Sequence, residues 1–212
     1  MMRKSVYSLT LFDEIVEQID QIAYENKTNR SQLINDILAD YIGVQTPEQK
    51  IQTVLETLDQ NLDGVLSVSQ ICKNNSIQFG KSLKYKYRPK IHYCYEFKND
   101  DGKKYAVLKI SSRTKNEDLN QHFSDFFHYI DSIEHRHQQE DCDNGGNTSQ
   151  HKFVRAFKHY GAVTQDIREL TDFLTRYLLM IDTAMNAYFS VDGEGNIDEK
   201  LDGIYSHYLD EN

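Results

Sequence analysis

Within the first 43 residues, the spacing of apolar side chains is first that of a strand and then that of two successive helices. The segment is too short to fold alone. Apolar side chains alternate over residues 4–11, which predicts a strand with one apolar face. The spacing becomes helical over 13–26 and again over 28–43, which predicts two amphipathic helices. One strand and two helices bury too little surface to be stable without disulfides, metal or a partner. The sequence therefore predicts a second copy of the chain, paired with the first strand to strand.

Each predicted helix has an apolar stripe and recognisable ends. Asn29, preceded by Thr28, supplies a capping side chain at the start of the second helix, and Gly43 ends that helix. The stripe residues are Ile15, Val16, Ile19, Ile22 and Ala23 in the first helix and Leu33, Ile34, Ile37, Leu38, Tyr41 and Ile42 in the second.

This order of elements resembles the ribbon-helix-helix family of bacterial, archaeal and phage DNA-binding proteins. The resemblance covers residues 3–43 and is carried by YSLTL at 7–11, EIVEQIDQIA at 14–23 and NRSQLINDIL at 29–38. The last of these looks especially like the nickel-responsive and plasmid copy-control regulators. The family implies a homodimer whose two strands form an antiparallel ribbon that enters the major groove of DNA. Coil over 4–11, or pairing of that segment within its own protomer's sheet, would overturn the ribbon.

The resemblance assigns two sets of DNA-contacting residues. One lies on the outer face of the ribbon, and the other at the start of the second helix, where backbone amides and the helix dipole attract phosphate. The implied base contacts are Lys4, Val6, Ser8 and Thr10, and the implied phosphate contacts are Arg3, Asn29, Arg30 and Ser31. A purely structural interpretation makes Asn29 and Ser31 a helix cap and makes Ser8 and Thr10 solvent-facing strand residues.

Two positions depart from the family pattern. Val6 stands where relatives often carry Arg or Lys, which removes a guanine contact but leaves one to a thymine methyl. Lys27 stands where relatives usually have glycine, so Asn26 or Lys27 must adopt a left-handed backbone conformation.

The remainder of the chain is expected to form an α+β domain with a β-hairpin and several helices. Pro47 begins a third helix that runs to about Leu62 and may extend to Cys72. The domains predicted are a ribbon-helix-helix domain over 1–44, a helical linker over 45–75 and an α+β domain over 76–212. Within the last, we expect strands over 83–98 and 103–112, helices over 117–139, 150–190 with a possible break at Gly161, and 197–209, and a loop over 141–150.

Charge is unevenly distributed along the chain. The formal net charge is −9, yet residues 73–115 hold 12 basic and 3 acidic side chains, whereas 116–212 hold 7 basic and 19 acidic ones. We expect the basic and acidic sections to neutralise each other within one fold or dimer, rather than to form a second nucleic-acid surface.

Three features of the C-terminal region invite more specific hypotheses. Asp131 and His135 are the best-spaced candidate metal-ligand pair, although a solvated ion pair is the more common meaning of such spacing. Glu96 and Lys98 resemble the Glu-x-Lys of metal-dependent nucleases but lack a convincing partner aspartate. The tyrosine-rich hairpin is typical of either a single-strand stacking surface or a half-buried sheet, and the sheet is the more common case. No cofactor, metal or catalytic residue is therefore predicted, and nickel binding is not inherited from the resemblance.

These patterns favour a site-specific DNA-binding homodimer, most simply a transcriptional repressor. A plasmid partition or relaxosome accessory protein is the alternative use of the same chemistry, and a DNA-tethered nuclease is the alternative from another class. The partners expected are double-stranded DNA, a second copy of the chain, and a protein or small molecule on the C-terminal domain. The sequence contains no signal peptide and no apolar run long enough for a bilayer, so we expect a soluble cytoplasmic protein.

Overall fold

A computed structural model of the chain describes residues 5–71, 75–100, 103–137, 152–157, 166–190 and 196–210. Within that part the fold is α+β. The elements in chain order are α1 (Asp13–Glu25), α2 (Arg30–Ile42), α3 (Pro47–Leu62), β1 (Ser67–Ile71), β2 (Ser76–Ser82), β3 (Lys90–Asp100), β4 (Lys103–Ser112), α4 (Glu117–Arg136), β5 (Lys152–Phe157), α5 (Ile167–Phe189) and α6 (Ile197–Asp210). The strands form one antiparallel sheet in the order β1-β2-β3-β4-β5. None of the described helices is long and apolar enough to cross a bilayer.

Helices α4 and α5 cover one face of this sheet. The rings of Phe127 on α4 and Phe153 on β5 stack with centroids 4.9 Å apart, and the Tyr95 hydroxyl donates to the Leu174 carbonyl 2.7 Å away. The hairpin is a half-buried sheet, the more common of the two cases named for it. Ile91, Tyr93, Tyr95 and Phe97 of β3 are buried, whereas Tyr87, which precedes the strand, is 85% exposed. Helix α4 buries an apolar stripe, with Phe123, Phe126, Phe127, Ile130 and Ile133.

The strand predicted over 83–98 is wrong at its start. A strand that the sequence did not reveal, β2, occupies Ser76–Ser82, and β3 begins only at Lys90. Between them the chain turns, because Tyr87 and Arg88 have left-handed backbones with φ of 65° and 43° and Pro89 follows. The bend expected at the proline is therefore present.

The single helix predicted over 150–190 is also wrong. Residues 152–157 form β5, which pairs with β4, and the helix begins only at Ile167. Phe153, Arg155 and Phe157 alternate toward the buried face, but the arginine hides that apolar alternation in the sequence. The end of the helix predicted to 139, the loop 141–150 and Gly161 lie outside the described residues.

Helix α3 belongs to the C-terminal core and is not a separate linker. Thr46 and Gln49 form a reciprocal capping box at its start, where Pro47 occupies the first turn as expected. Its apolar face joins the core through Ile51, Val54, Leu55, Leu58 and Leu62. The helix ends at Leu62 and does not extend to Cys72, because the chain turns through Gly64 with φ of 79° and then enters β1.

The two N-terminal helices form where they were predicted, but the strand before them does not. Helix α1 ends at Glu25 and is followed by Lys27 with φ of 52°, and α2 ends at Gly43 with φ of 71°. Residues 5–12 are neither helix nor strand in the single chain. The segment pairs with no strand of its own protomer's sheet. It is coil, which is one of the two outcomes named above as counting against the ribbon, and a single chain holds no partner strand for it, so the predicted ribbon-helix-helix fold is not confirmed.

Candidate nucleic-acid interface

The segment before α1 exposes both of its faces in the single chain. Val6, Ser8 and Thr10, the predicted base-contacting residues that the structure describes, are all exposed, and Val6 reaches 99%. The opposite set, Tyr7, Leu9 and Leu11, is exposed as well, although the sequence predicts that it is buried. Arg3 and Lys4 lie outside the described residues. A single chain therefore presents this segment without covering its apolar side.

The start of α2 has the geometry expected of a capped helix N-terminus. Asn29 has an extended backbone, and its side-chain oxygen accepts a hydrogen bond of 2.9 Å from the Gln32 amide. The first turn of any helix leaves its leading amides without an intrahelical acceptor, and here these include the amides of Arg30 and Ser31. All three predicted phosphate-contacting residues at this site, Asn29, Arg30 and Ser31, are exposed side by side.

Arg30 is held by an acidic partner that the sequence reasoning did not anticipate. Its Nε donates to Asp20 Oδ1 at 2.6 Å, and its Nη2 pairs with the other carboxylate oxygen. This hydrogen bond from Arg30 is the main reason why the pKa of Asp20 is lowered, and it raises the pKa of Arg30 in turn. The pair positions the guanidinium at the start of α2, and both side chains are about half exposed. Asp20 and Arg30 are ten residues apart, so no spacing rule within a single helix would have revealed the pair.

The turn between the helices fixes their relative direction. Lys27 N donates to the Tyr24 carbonyl at 3.1 Å and Thr28 N to the Ala23 carbonyl at 2.9 Å, which is the Schellman arrangement. The left-handed residue predicted here is Lys27. The same arrangement ends α2, where Val44 N donates to the Ala39 carbonyl at 2.9 Å around Gly43.

The N-terminal module, defined as residues 5–44, carries most of the exposed large apolar side chains of the described chain. Only Val65 and Tyr87 lie outside it. The members within it are Val6, Tyr7, Leu9, Leu11, Phe12, Ile15, Ile22, Tyr24, Ile37, Leu38, Tyr41, Ile42 and Val44. Soluble proteins rarely expose so many apolar side chains in one small region unless the region is an interaction surface.

A buried ionic cluster connects α4, β5 and α5 in the C-terminal domain. Arg155 and Glu134, only 1% and 2% exposed in their side chains, form an ion pair, and the Tyr177 hydroxyl donates to Glu134. Arg155 also pairs with Asp131 at 3.0 Å and lies 4.5 Å from the Phe153 ring centroid. Burial raises the pKa of Glu134, and the positive charge of Arg155 opposes that shift. Because Arg155 and Glu134 are enclosed, these two groups hold elements together and have no access to a substrate.

The two residues of the candidate metal pair are joined mainly through the backbone of Asp131. His135 Nδ1 lies 2.7 Å from the Asp131 carbonyl oxygen and 3.9 Å from the Asp131 carboxylate, which Arg155 also contacts. Across the described ranges, no cluster of three or more His, Cys, Asp or Glu side chains has an arrangement that could hold a metal ion. The Glu96 carboxylate of the Glu-x-Lys motif pairs with Lys109 on the neighbouring strand.

Comparison with known proteins adds no further information about the site. No family model matches the chain, and neither a curated protein nor a solved structure matches it.

Proposed function

We propose that the chain is a homodimeric, site-specific DNA-binding protein of the ribbon-helix-helix type, acting as a transcriptional repressor. The observation that carries the proposal is the concentration of exposed apolar side chains in the N-terminal module, on the stripes that the sequence assigns to a dimer core. Pairing of residues 4–11 between two copies would cover Tyr7, Leu9 and Leu11 against the helices. The same pairing would leave Ser8 and Thr10 on the outer face.

DNA is the partner that best fits that outer face. A two-stranded ribbon fits the major groove, and the hydroxyls of Ser8 and Thr10 both donate and accept hydrogen bonds to base edges. The start of α2 adds a backbone-binding point, since Asn29, Arg30 and Ser31 are exposed together at a helix N-terminus. Arg30 would contact a phosphate while retaining or exchanging its bond with Asp20.

The proposal is tested by selecting a binding site from a pool of randomised duplexes. Binding to the selected site is then measured by anisotropy titration. The Ser8→Ala/Thr10→Ala variant should lose preference for the selected site over random duplex, while its sedimentation remains dimeric. Gln18→Ala/Gln21→Ala, which alters exposed polar side chains of α1, is the matched control and should retain the preference. Unaltered site preference in the Ser8/Thr10 variant would show that the reading surface lies elsewhere.

Hydrogen exchange tests the ribbon directly. Alternate amides within residues 5–11 should become protected at protein concentrations above the dimer dissociation constant and should exchange freely below it. Free exchange at every concentration would rule out the intermolecular strand pair, whatever the affinity for DNA.

A further inference from the structure

A second set of cations lies on the C-terminal domain, where β2 turns into β3 and β4 leads into α4. All of its charged members are exposed, and Tyr87 among them is 85% exposed. The basic loop surface is defined as Tyr87 together with Lys84, Lys86, Arg88, Lys90, Arg113 and Lys115.

The expected neutralisation of the basic section by the acidic section occurs at one point in the described chain. Lys81 pairs with Asp182 on α5 at 2.5 Å, and that pair is the only described ion pair that joins residues 73–115 to residues 116–212. The other described pairs of these sections stay within one section, as Lys109 does with Glu96 and Arg136 does with Asp198. Within the described chain, the six cations of the basic loop surface have no carboxylate at ion-pair distance. All six of these side chains are exposed in the described chain.

The loop between β2 and β3, which carries Lys84, Lys86 and Arg88, is ordered by its own contacts. Leu83 N donates to the Pro89 carbonyl at 3.0 Å, and Arg88 N donates to the Tyr85 carbonyl at 2.9 Å, so the loop is closed at its base. The Tyr85 ring packs edge-on against Phe189 with centroids 5.1 Å apart. Anchoring Tyr85 in this way leaves Tyr87, two residues later, directed into solvent.

The backbone of the loop tip is strained. Tyr87 and Arg88 are consecutive non-glycine residues with left-handed φ values of 65° and 43°. Such conformations are uncommon for non-glycine residues, and they occur often at binding sites. Tyr87 stands here between the cations Lys86 and Arg88 in the chain.

A cleft of about 400 Å³ adjoins the ring of Tyr87. The loop forms one wall, and the first turns of α4 form the other through Asn116, Gln121 and His122. Side-chain amides and an imidazole are hydrogen-bonding groups that suit the edge of a nucleobase. Asp118 on the α4 wall supplies an acceptor for an exocyclic amino group.

The basic loop surface lies at the opposite end of α5 from the N-terminal module. Phe189, at the end of α5, contacts Tyr85 of the loop, whereas Ile167 and Thr171, at its start, share a cleft with Gln45 just after the module. A helix of 23 residues is about 35 Å long. The two surfaces are therefore separate binding sites, and one does not extend the other.

We propose that the basic loop surface binds single-stranded nucleic acid, with phosphates on its cations and a base stacked on Tyr87. Cations interleaved with an exposed aromatic ring are the arrangement by which proteins hold single strands without reading a sequence. A duplex backbone would use the cations but would leave the ring of Tyr87 without a base to stack on. This binding activity goes beyond the proposed function and does not depend on the ribbon.

Fluorescence anisotropy tests the proposal. The full-length chain is titrated into a labelled 20-nucleotide single strand of mixed sequence at several salt concentrations. Lys86→Gln/Arg88→Gln should bind about tenfold more weakly at low salt, and its salt slope should be shallower by roughly 1.4, about 0.7 for each lost phosphate contact. Lys98→Gln/Lys200→Gln, which removes the same charge at exposed positions outside the surface, should keep the original slope. Tyr87→Ala should lose about tenfold in affinity through stacking and leave the slope unchanged.

Two results would overturn the proposal. Equal salt slopes for the two charge variants would show that the surface does not hold the strand. Wild-type affinity in Tyr87→Ala, combined with weaker duplex binding by Lys86→Gln/Arg88→Gln, would assign the surface to a duplex backbone instead. The Ser8→Ala/Thr10→Ala variant should bind the single strand as tightly as the wild type, so failure of the ribbon proposal is distinguishable from failure of this one.

Discussion

The N-terminal module and the C-terminal domain have opposite relations to their apolar residues. From Ile51 onward, the chain buries its large side chains in one continuous core of sheet and helices. The module buries only three apolar residues, Ile19, Ala23 and Ala39, in the single chain. We therefore expect the C-terminal domain to hold its fold through its own core and the module to depend on a covering surface, which the proposed dimer would supply.

The two regions also use charge differently. The ion pair of the module, Asp20 with Arg30, lies on the surface, where such pairs contribute little to stability. In the C-terminal domain, Arg155 and Glu134 are buried together. Removal of one partner would leave the other unpaired in an apolar environment. With the proposed dimer, we expect the stability of the module to depend on protein concentration and the stability of the domain to depend on internal contacts.

The largest predicted effect is on the C-terminal domain. Arg155→Met should lower the free energy of unfolding by about 3–5 kcal/mol, because Glu134 remains buried without its cation. Urea denaturation followed by far-UV circular dichroism measures the loss. The matched control is Arg136→Met, whose exposed pairs with Asp198 and Asp202 should contribute less than about 1 kcal/mol. Combining Arg155→Met with Glu134→Gln should recover part of the loss. Equal losses for Arg155→Met and Arg136→Met would contradict the difference expected between a buried and an exposed ion pair.

The next effect is on the module and should appear only in self-association. Leu38→Glu places a charge on the exposed stripe of α2. In the proposed dimer, burial of the apolar side chain would stabilise the interface by about 2–3 kcal/mol. The dimer dissociation constant should rise by about 30-fold to 100-fold. Sedimentation equilibrium measures the shift, with Gln18→Glu on an exposed polar position as the control. A dimer of unchanged strength in Leu38→Glu would place the interface outside the module.

Local sequence rules located the helices of both regions but missed three strands, β1, β2 and β5. Asn29, Gly43 and Pro47 mark helix ends through their own backbone and capping chemistry, so their neighbours suffice to predict them. Two of the missed strands, β2 and β5, each direct a cation inward. The partner of Lys81 is Asp182 and the partner of Arg155 is Glu134, and both partners lie on helices distant in sequence. From the sequence alone, a cation is predicted to face solvent unless its acidic partner is known.

The same limit applies to the candidate site. The cap at Asn29 and the left-handed Lys27 follow from local patterns and are confirmed. The Arg30 contact with Asp20 crosses the turn between two helices, and no local spacing encodes it. The alternation over 4–11 predicts a strand, but residues 5–12 are coil in the single chain, and the pairing with a second chain stays a proposal.

A smaller effect is expected at the cap of α2. Asn29→Ala removes the acceptor of the Gln32 amide and should destabilise the module by about 1 kcal/mol. The loss should appear in the concentration-dependent melting transition and leave the C-terminal transition unchanged. Asn35→Ala, in the middle of the same helix and exposed, should change the same transition by less than about 0.5 kcal/mol. Equal shifts for the two variants would show that the cap does not stabilise α2.

The smallest predicted effect is a pH dependence of stability. It should distinguish the surface ion pair of the C-terminal sheet from the buried ionic cluster of the same domain. The hydrogen bond from Lys109 is the main cause that lowers the pKa of Glu96 in the folded chain. Stability from this pair is present above the unfolded carboxyl pKa of about 4.3 and is lost as the pH falls through the folded value. Lys109→Met should therefore lower the free energy of unfolding by less than about 1 kcal/mol at pH 7, and this difference should vanish in acid. Urea titrations in the native and Glu96→Gln backgrounds measure it, because Lys109→Met should have no pH-dependent effect once the carboxylate is gone. A difference that persisted in acid, or in the Glu96→Gln background, would assign the role of Lys109 to packing instead of charge.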